Sequence, residues 1–422
     1  MARVRRRLIP LLFLCYYAAY LDRVNVGFAA LTMNKALGFS ASVFGFGSGI
    51  FFVGYFIFEI PSNLILAKVG ARRWIARILL TWGIISGLTA FVWNASSFFG
   101  VRFLLGLAEA GYYPGIILFL TWWFPSYYRS RMISLFMTAI PVAIVSGSIV
   151  SGYILQLDGL FGLQGWQWLF LIEAVPAIVL SAVVFFTLTD GPSDAHWLSP
   201  AQREWLTRRL AAERAQREAV RHYRLGETLL NPRVWALTLI YFGQNVTGYG
   251  LVLFLPQIVK RFGLSNVQTG FVTALPYLFG IAALILWGWN SDRTGERNRH
   301  CAAACLISAA ALTSCLVFNE PVLMMIAIII AQMAASGIAP TFWALPTAML
   351  TGSAAAGGIA LINAVGNLGG FLGPYVMGVV QDATGSFPLG LLAIATGSVV
   401  AGVVVLALGH DRALERTPPH HA

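Results

Sequence analysis

Five ionisable residues interrupt long apolar stretches in the first half of the sequence, and their types suit ion chemistry. They are Asp22, Arg23, Glu59, Arg102 and Glu109. A charged side chain at the centre of a bilayer costs roughly 2.5–3.5 kcal/mol even on insertion scales, so each one needs a partner or a function. Arginine keeps its proton and binds carboxylates through paired hydrogen bonds, whereas a buried carboxylate can change its protonation state. The set therefore predicts a site that holds an anion and exchanges protons.

The spacing of these residues assigns them provisional roles. Adjacent Asp22 and Arg23 point about 100° apart on a helix, so one should face a ligand and the other a neighbouring helix. Arg23 is the first candidate for an anion counter-charge; the alternative is a purely structural pairing with Asp22 or Glu109. Arg102 and Glu109 lie about 10.5 Å apart along one helix face. Arg102 is either a substrate contact or half of a gating ion pair.

Carboxylates are the candidate proton-exchanging groups, because the six histidines lie in predicted loops, the tail or a span end. Asp22 and Glu109 are the candidates, since desolvation and a nearby arginine act on their charge in opposite directions. The alternative for each is a permanently ionised partner of its arginine. Glu59, close to one interface and near Pro61, has a structural role in this interpretation.

Composition defines the elements that must position these groups. Of 422 residues, 58% are hydrophobic and only 11% are charged, far below the roughly one quarter that is usual in soluble proteins. Continuous apolar runs of about 20 residues indicate membrane-spanning helices. The net charge of +11 lies in loops on one side, which favours a membrane topology signal over nucleic-acid binding and predicts both termini in the cytoplasm.

The apolar runs predict twelve spans and an all-α integral membrane protein. Their approximate limits are 8–31, 43–66, 74–93, 97–121, 131–155, 166–189, 231–257, 267–290, 300–318, 321–341, 350–379 and 386–409. We expect a six-helix bundle over 1–189, a cytoplasmic linker with an amphipathic helix over 190–230, a second six-helix bundle over 231–410 and a tail over 411–422. The linker helix should start at Ser199-Pro200-Ala201-Gln202, a capping pattern with proline at the first helical position.

An internal repeat relates the two predicted bundles. Gly38-Phe39-Ser40 recurs as Gly263-Leu264-Ser265, and the Gly70 segment recurs at Gly295, each pair being separated by 225 residues. Repeated halves around a central site are the physical basis of alternating access. The second half carries neutral groups where the first carries charge, and its candidate lining residues are Tyr249, Trp343, Asn363 and Asn367.

Enzymatic chemistry finds no support in the sequence. It has no phosphate-binding loop of the Gly-x-x-x-x-Gly-Lys-Ser/Thr type, and no catalytic or metal-ligand constellation at an interface. The four cysteines imply neither a disulfide framework nor a metal site. We expect no enzyme activity, and no cofactor beyond protons as the coupling ion.

The loop between spans eight and nine resembles the cytoplasmic signature of the major facilitator superfamily. The matching residues are Gly288, Asp292, Arg293, Gly295 and Arg297. Its first-half counterpart is degraded: Asn63 and Ala67 replace the glycine and aspartate, while Lys68, Gly70, Arg72 and Arg73 remain. We expect this pair of motifs to act as a cytoplasmic gate in a fold of two pseudo-symmetric six-helix bundles.

Within that superfamily the chain resembles the anion:cation symporters, which include bacterial galactonate, tartrate and phthalate permeases, sialin and the vesicular glutamate transporters. The resemblance lies in 20–25, 58–63, 102–111 and 363–374. It implies that Asp22 and Glu109 are protonation sites and that Tyr20 and Tyr55 line the substrate site. It implies proton-coupled import of a small organic anion, such as a sugar acid, a hydroxy-dicarboxylate or an aromatic carboxylate.

Two other functions stay open at this stage. One is proton-coupled export of drugs or metabolites, although span five lacks the Gly-Pro ending of its usual motif. The other is a non-transporting sensor with this fold. For the symport function we expect a monomer in the bacterial inner membrane whose partners are lipid, protons and a small organic anion.

Overall fold

A computed structural model gives the structure of the chain over residues 1–218, 231–318, 320–343, 345–346 and 352–408. Regular structure in these ranges is helical throughout. Residues 219–230 of the predicted linker and the tail 411–422 lie outside the described residues. The chain divides into two units, the first formed by Met1–Leu37 with Ile50–Val220 and the second by Gly38–Gly49 with Arg221–Ala422.

The first unit holds the charged residues singled out above. The helices from the amino terminus to the linker are α1 (Ala2–Leu37), α2 (Ala41–Val69), α3 (Ala71–Leu88), α4 (Ala95–Glu109), α5 (Tyr112–Trp123), α6 (Ser126–Met137), α7 (Ala139–Ile154), α8 (Gly165–Thr187) and α9 (Pro200–Glu218). Helix α9 begins where the capping pattern predicts it, since Ser199 Oγ accepts a hydrogen bond of 3.3 Å from the Gln202 backbone N–H.

The second unit is also built from helices. They are α10 (Pro232–Lys260), α11 (Asn266–Thr294), α12 (Arg297–Ser314), α13 (Pro321–Phe342), α14 (Gly352–Asn367), α15 (Gly369–Thr384) and α16 (Phe387–Ala407). Buried side chains of α10, α12, α13, α14 and α16 form one core, which includes Leu237, Cys305, Phe342, Ile362 and Val405. This core is apolar where the first unit buries charges.

The predicted all-α membrane class is confirmed. Nine stretches of the described chain are long and apolar enough to cross a bilayer, and each of the twelve predicted spans overlaps at least one helix. Three predicted spans differ from the prediction, because each is split into two helices. The breaks fall at Ala110 and Gly111, at Thr138 and at Leu368.

Proline and glycine explain these breaks. Pro141 has no N–H to donate to the carbonyl of Met137, the last residue of α6. Gly111 has a left-handed backbone with φ of 80°, which ends α4 and redirects the chain into α5. At the third break two glycines follow Leu368, and their low helix propensity favours an interruption there.

Glycines bring α2 and α4 into backbone contact inside the first unit. A Cβ atom at Gly106 would lie 2.0 Å from the Phe51 carbonyl oxygen, and one at Gly54 would lie 2.4 Å from that of Phe103. Small residues at helix interfaces allow such close approach in membranes. The contact fixes the wall of the first unit that carries Arg102 and Glu109.

We therefore predict that Gly106→Ala destabilises the purified protein by about 1–3 kcal/mol, because the added methyl group overpacks the α2–α4 interface. The matched control is Gly100→Ala on the same helix, where an added Cβ meets nothing within 4 Å. Thermal unfolding in detergent measures both. A melting temperature as low in the Gly100 variant as in the Gly106 variant would contradict the packing argument.

Candidate functional site

Arg23 on α1 and Glu109 on α4 form a buried ion pair. The Arg23 Nε donates to Glu109 Oε1 at 2.9 Å, and its Nη2 donates to the same oxygen. The arginine side chain is 13% exposed and the glutamate side chain 1%. This is one of the two pairings that the sequence left open for Arg23, and it joins the two helices that carry the predicted site.

The helix break after Glu109 determines where this carboxylate lies. Glu109 is the last residue of α4, and Ala110 and Gly111 leave the helical conformation. A Cβ atom at Gly111 would lie 2.4 Å from Ser62 Oγ, so both space and backbone angle require glycine. The carboxylate stands at the negative end of the helix dipole, where a positive partner is needed to stabilise its charge. Arg23 is that partner.

Asp22 faces a different helix from its neighbour Arg23. Its carboxylate accepts hydrogen bonds from Trp82 Nε1 and from Ser86 Oγ at 2.8 Å, both on α3. Asn25 Nδ2 adds a third at 3.2 Å. Asp22 is 2% exposed. The offset of about 100° between adjacent helical residues thus separates the aspartate, bound to α3, from the arginine, bound to α4.

Arg102 completes the group of buried charges. It is 3% exposed, and its guanidinium carbon lies 5.2 Å from the centre of the Phe51 ring. It interacts electrostatically with Glu109, Asp22 and Arg23. Its Nε has no hydrogen-bond partner among the residues that the structure describes. A buried guanidinium N–H without a partner is costly unless something accepts from it, so this atom can take a carboxylate oxygen.

Aromatic rings surround the Arg23 guanidinium. Its carbon lies 5.2 Å from the ring centre of Tyr20 and 5.5 Å from those of Phe51 and Tyr55. Tyr20 also packs edge to face on Tyr16. The two tyrosines that the family resemblance implies as substrate contacts therefore lie beside the arginine. Rings at this distance stabilise the cation through their negative faces.

Glu173 on α8 is a further buried carboxylate, and it is not among the five charged residues singled out from the sequence. It is 3% exposed, and Ser151 Oγ donates to its Oε1 at 2.8 Å. Electrostatic interaction links it to Asp22. Glu173 carries the same sequence signal as Asp22, an acidic residue inside an apolar run. Its closeness to Asp22 could not be predicted, because the two residues are far apart in the sequence.

The predicted residues of the second unit lie on three of its helices and their ends. Trp343 follows α13 and packs edge to face on Tyr241, with ring centres 5.1 Å apart. Asn363 is buried at 9% exposure on α14. Asn367 ends α14, and Tyr249 is partly buried on α10. These groups offer neutral polar and aromatic contacts only.

The signature loop of the second unit closes on itself. Arg297 pairs with Asp292 and also donates to Ser291 Oγ at 3.4 Å. Gly295 ends α11 with a left-handed φ of 69°. Arg293 lies over the Trp289 ring at 5.5 Å, and a Cβ atom added at Gly288 would lie 3.7 Å from Pro340 Cβ. The loop is therefore a local turn held by an arginine–aspartate pair.

The degraded first-half loop obtains its carboxylate from elsewhere in the chain. Lys68 is in the last turn of α2, and Gly70 has a φ of 94°. Asp190, which follows α8, accepts a 2.7 Å hydrogen bond from the Arg72 backbone N–H. Asp190 could not be predicted from the sequence, because nothing in the local pattern connects residue 190 to the start of α3. It supplies an acid near the place where Ala67 interrupts the motif.

Helical spans, the buried charges and the two signature loops define a multi-pass membrane transporter. A family model described as Major Facilitator Superfamily matches residues 12–374 and 237–422. The chain belongs to this superfamily, which is one of transporters and not of enzymes. The predicted fold of two six-helix halves is confirmed with it.

Two relatives and one solved structure show the range of similarity. A candidate tartrate transporter of Agrobacterium vitis is 52% identical over 91% of this chain and 86% of its own. A quinolone resistance transporter of Acinetobacter baumannii is 40% identical over 90% of this chain and 87% of its own. The crystal structure of a bacterial homologue of the human lysosomal transporter Spinster matches with a TM-score of 0.81, 17% identity and 99% coverage of both chains. The Agrobacterium relative fits the anion:cation symporter resemblance, and the solved structure supports the fold alone.

We predict that Trp82→Phe lowers the free energy of unfolding by about 1–3 kcal/mol, because it removes a donor and leaves a buried carboxylate oxygen without its partner. Trp93→Phe is the matched control, since Trp93 is 75% exposed and the chemical change is the same. Thermal unfolding of the purified variants provides the comparison. Equal melting temperatures for the two variants would show that the Trp82 bond to Asp22 contributes nothing to stability.

Proposed function

We propose that this protein is a proton-coupled symporter that imports a small organic dianion of the tartrate class. One observation carries the proposal: two arginines and two carboxylates, Arg23, Arg102, Asp22 and Glu109, are buried within electrostatic range in one half of the molecule. The arginines hold their charge at any physiological pH, while the carboxylates can take up protons. When all four side chains start ionised, proton uptake can therefore only make the net charge of the site more positive.

Charge balance connects protons to substrate. With both carboxylates ionised the four side chains are neutral as a group, and no anion is favoured. With both protonated the group carries two positive charges, which a dicarboxylate neutralises. Substrate carboxylates would then bind where Glu109 now binds Arg23, and they would also accept from Arg102 Nε. Because binding free energies are reciprocal, protons raise the affinity for the anion and the anion raises the affinity for protons.

The remaining residues have supporting roles in this proposal. Tyr20 and Tyr55 orient the anion beside Arg23. Within the second half, Tyr249, Trp343, Asn363 and Asn367 remain the candidate substrate residues, because they offer neutral groups that suit hydroxyls. Transport proceeds by alternating access between the repeated halves. The signature loops around Gly70 and Gly295 act as the cytoplasmic gate. The basic loops indicate cytoplasmic termini in a bacterial inner membrane, and we propose a monomer that needs no cofactor besides protons.

The substrate class rests on chemistry and on similarity. Two fixed guanidinium groups match a molecule with two carboxylates better than one with a single carboxylate. The Agrobacterium relative that is 52% identical is named for tartrate, and it aligns along most of both chains. Both considerations favour a hydroxy-dicarboxylate over a sugar acid or an aromatic acid.

A second candidate is export of quinolones in exchange for protons. The Acinetobacter relative, 40% identical, supports it. Quinolones carry a carboxylate that an arginine could bind, so the same site would serve. The two functions differ in the direction in which substrate moves relative to protons. Export by proton exchange expels substrate as protons enter, whereas symport moves both in the same direction.

The test is uptake of labelled tartrate by proteoliposomes under an imposed pH gradient, acidic outside. We expect accumulation by the unmodified protein and none by Asp22→Asn, which keeps the shape of the side chain and removes its titration. Counterflow, which needs no net proton movement, should persist in the variant. Asp194→Asn is the control, because Asp194 is exposed in the polar segment between the two bundles.

Three results would decide against the proposal. Wild-type accumulation in the Asp22 variant would remove this aspartate from coupling. Accumulation of tartrate that does not depend on the pH gradient would show that transport is not coupled to protons. Loss of preloaded quinolone when the gradient is imposed, without uptake of tartrate, would favour the export function.

A further inference from the structure

A basic cleft lies between the start of α1 and the beginning of the linker helix, both within the first unit. Its volume is about 990 Å³. Its walls come from two short stretches of chain, and the lining residues that matter here are Arg3, Arg6, Arg7, Trp197, Leu198 and Trp205. Arg7 and Asp22 are fifteen residues apart on α1, which is roughly 22 Å along the helix. The cleft is therefore separate from the buried charge cluster.

The charge of the cleft is of one sign. Arg3, Arg6 and Arg7 line it, and none of the lining residues is acidic. In the described part of the chain no ion pair involves these three arginines. Arg6 and Arg7 follow Arg3 by three and four residues, so each is a helical neighbour of Arg3 and the like charges repel. An anion placed between them would relieve that repulsion.

The opposite wall is aromatic and apolar. Trp197 stacks on Trp123 with ring centres 5.6 Å apart, and its Nε1 donates to Thr189 Oγ1 at 3.2 Å. The guanidinium carbon of Arg7 lies 5.1 Å from the Trp197 ring centre. Trp205 is 54% exposed at the rim, while Leu198 is buried. Tryptophan side chains favour the headgroup region of bilayers, where one end of the ring is apolar and the other is wet.

We propose that this cleft binds the headgroup of one anionic phospholipid, with the phosphodiester held by the three arginines and the glycerol region lying against Trp205. Position supports a lipid, because the predicted first span starts at Leu8, immediately after Arg7. The apolar wall supports a lipid over free phosphate, which offers nothing to bury against tryptophan. Arginine clusters on the cytoplasmic side of a span attract anionic lipids by about 1 kcal/mol for each residue.

The test applies two measurements of lipid binding to the full-length protein. Native mass spectrometry counts bound lipids after purification from mixed phosphatidylglycerol and phosphatidylcholine, and thermal unfolding is followed with either lipid added. The test variant is Arg3→Gln, Arg6→Gln, Arg7→Gln. The matched control, Arg203→Gln, Arg208→Gln, Arg209→Gln, removes the same charge from α9, and none of its three residues is named among those lining the cleft.

We expect the unmodified protein to retain one phosphatidylglycerol more tightly than the rest and to melt higher with that lipid than with phosphatidylcholine. The test variant should bind that lipid about a hundredfold more weakly, since each of the three arginines accounts for about fivefold. The control variant should keep it. Trp205→Ala leaves all charges in place and should weaken binding of the same lipid. This variant replaces the triple variant if the latter fails to insert into the membrane.

The proposal is overturned if the test variant retains the tight lipid, or if the control variant loses it equally, which would mean diffuse attraction. It is also overturned if inorganic phosphate at the same phosphate concentration raises the melting temperature as much as phosphatidylglycerol does, because the ligand would then be free phosphate. Tartrate transport need not be measured, so failure here is distinct from failure of the transport function.

Discussion

The buried pairing of Arg23 with Glu109 is the interaction on which the rest of the first unit depends. Removing two charges from water costs several kcal/mol for each ion, and their attraction offsets this only with good geometry and satisfied hydrogen bonds. The chain supplies that geometry by ending α4 at Glu109 and by bringing α2 against α4 through Gly106. Removal of either partner would leave an uncompensated charge in the bundle, so any competing ligand must bring its own charge.

The two repeated halves use equivalent positions for different purposes. Asp22 corresponds to Thr247 by the 225-residue offset, and Thr247 donates to the Ile394 carbonyl at 2.7 Å while Ser398 contacts it at 3.0 Å. Glu109 and Arg102 correspond to Ala334 and Ala327, both buried in the apolar packing of α13. The first half thus holds charge in water-poor surroundings, and the second half uses the same positions to pack helices. The asymmetry places the whole electrostatic site in one bundle.

The sequence was sufficient for the helices and for the identity of the charged cluster. Hydropathy determines where a span can exist, and the cost of burying charge makes Asp22, Arg23, Arg102 and Glu109 conspicuous in any apolar run. Partners were harder to predict. The bond from Trp82 to Asp22 and the cap that Asp190 provides for α3 join residues 60 and 118 positions apart. No local pattern encodes such pairs, since they arise from the packing of helices that are distant in sequence.

Helix breaks inside spans were missed for a related reason. Apolar length alone predicts one continuous helix over 97–121, yet the break at Ala110 and Gly111 positions Glu109 at a helix end. A glycine followed three residues later by Pro114 was visible, but either residue alone is tolerated within membrane helices. The left-handed backbone angle and the close approach of Ser62 together make glycine necessary at 111, and neither is visible in the sequence. The buried charged residues were predictable, whereas the backbone that positions them was not.

The central claim is that an anion and protons occupy this cluster together, and proton uptake on binding tests it most directly. Titration calorimetry of the purified protein with tartrate, repeated in buffers of different ionisation enthalpy, gives the number of protons taken up for each anion bound. We expect uptake of about two protons at a pH where both Asp22 and Glu109 are ionised before the anion binds. Tight binding of tartrate with no proton uptake at any pH would contradict it.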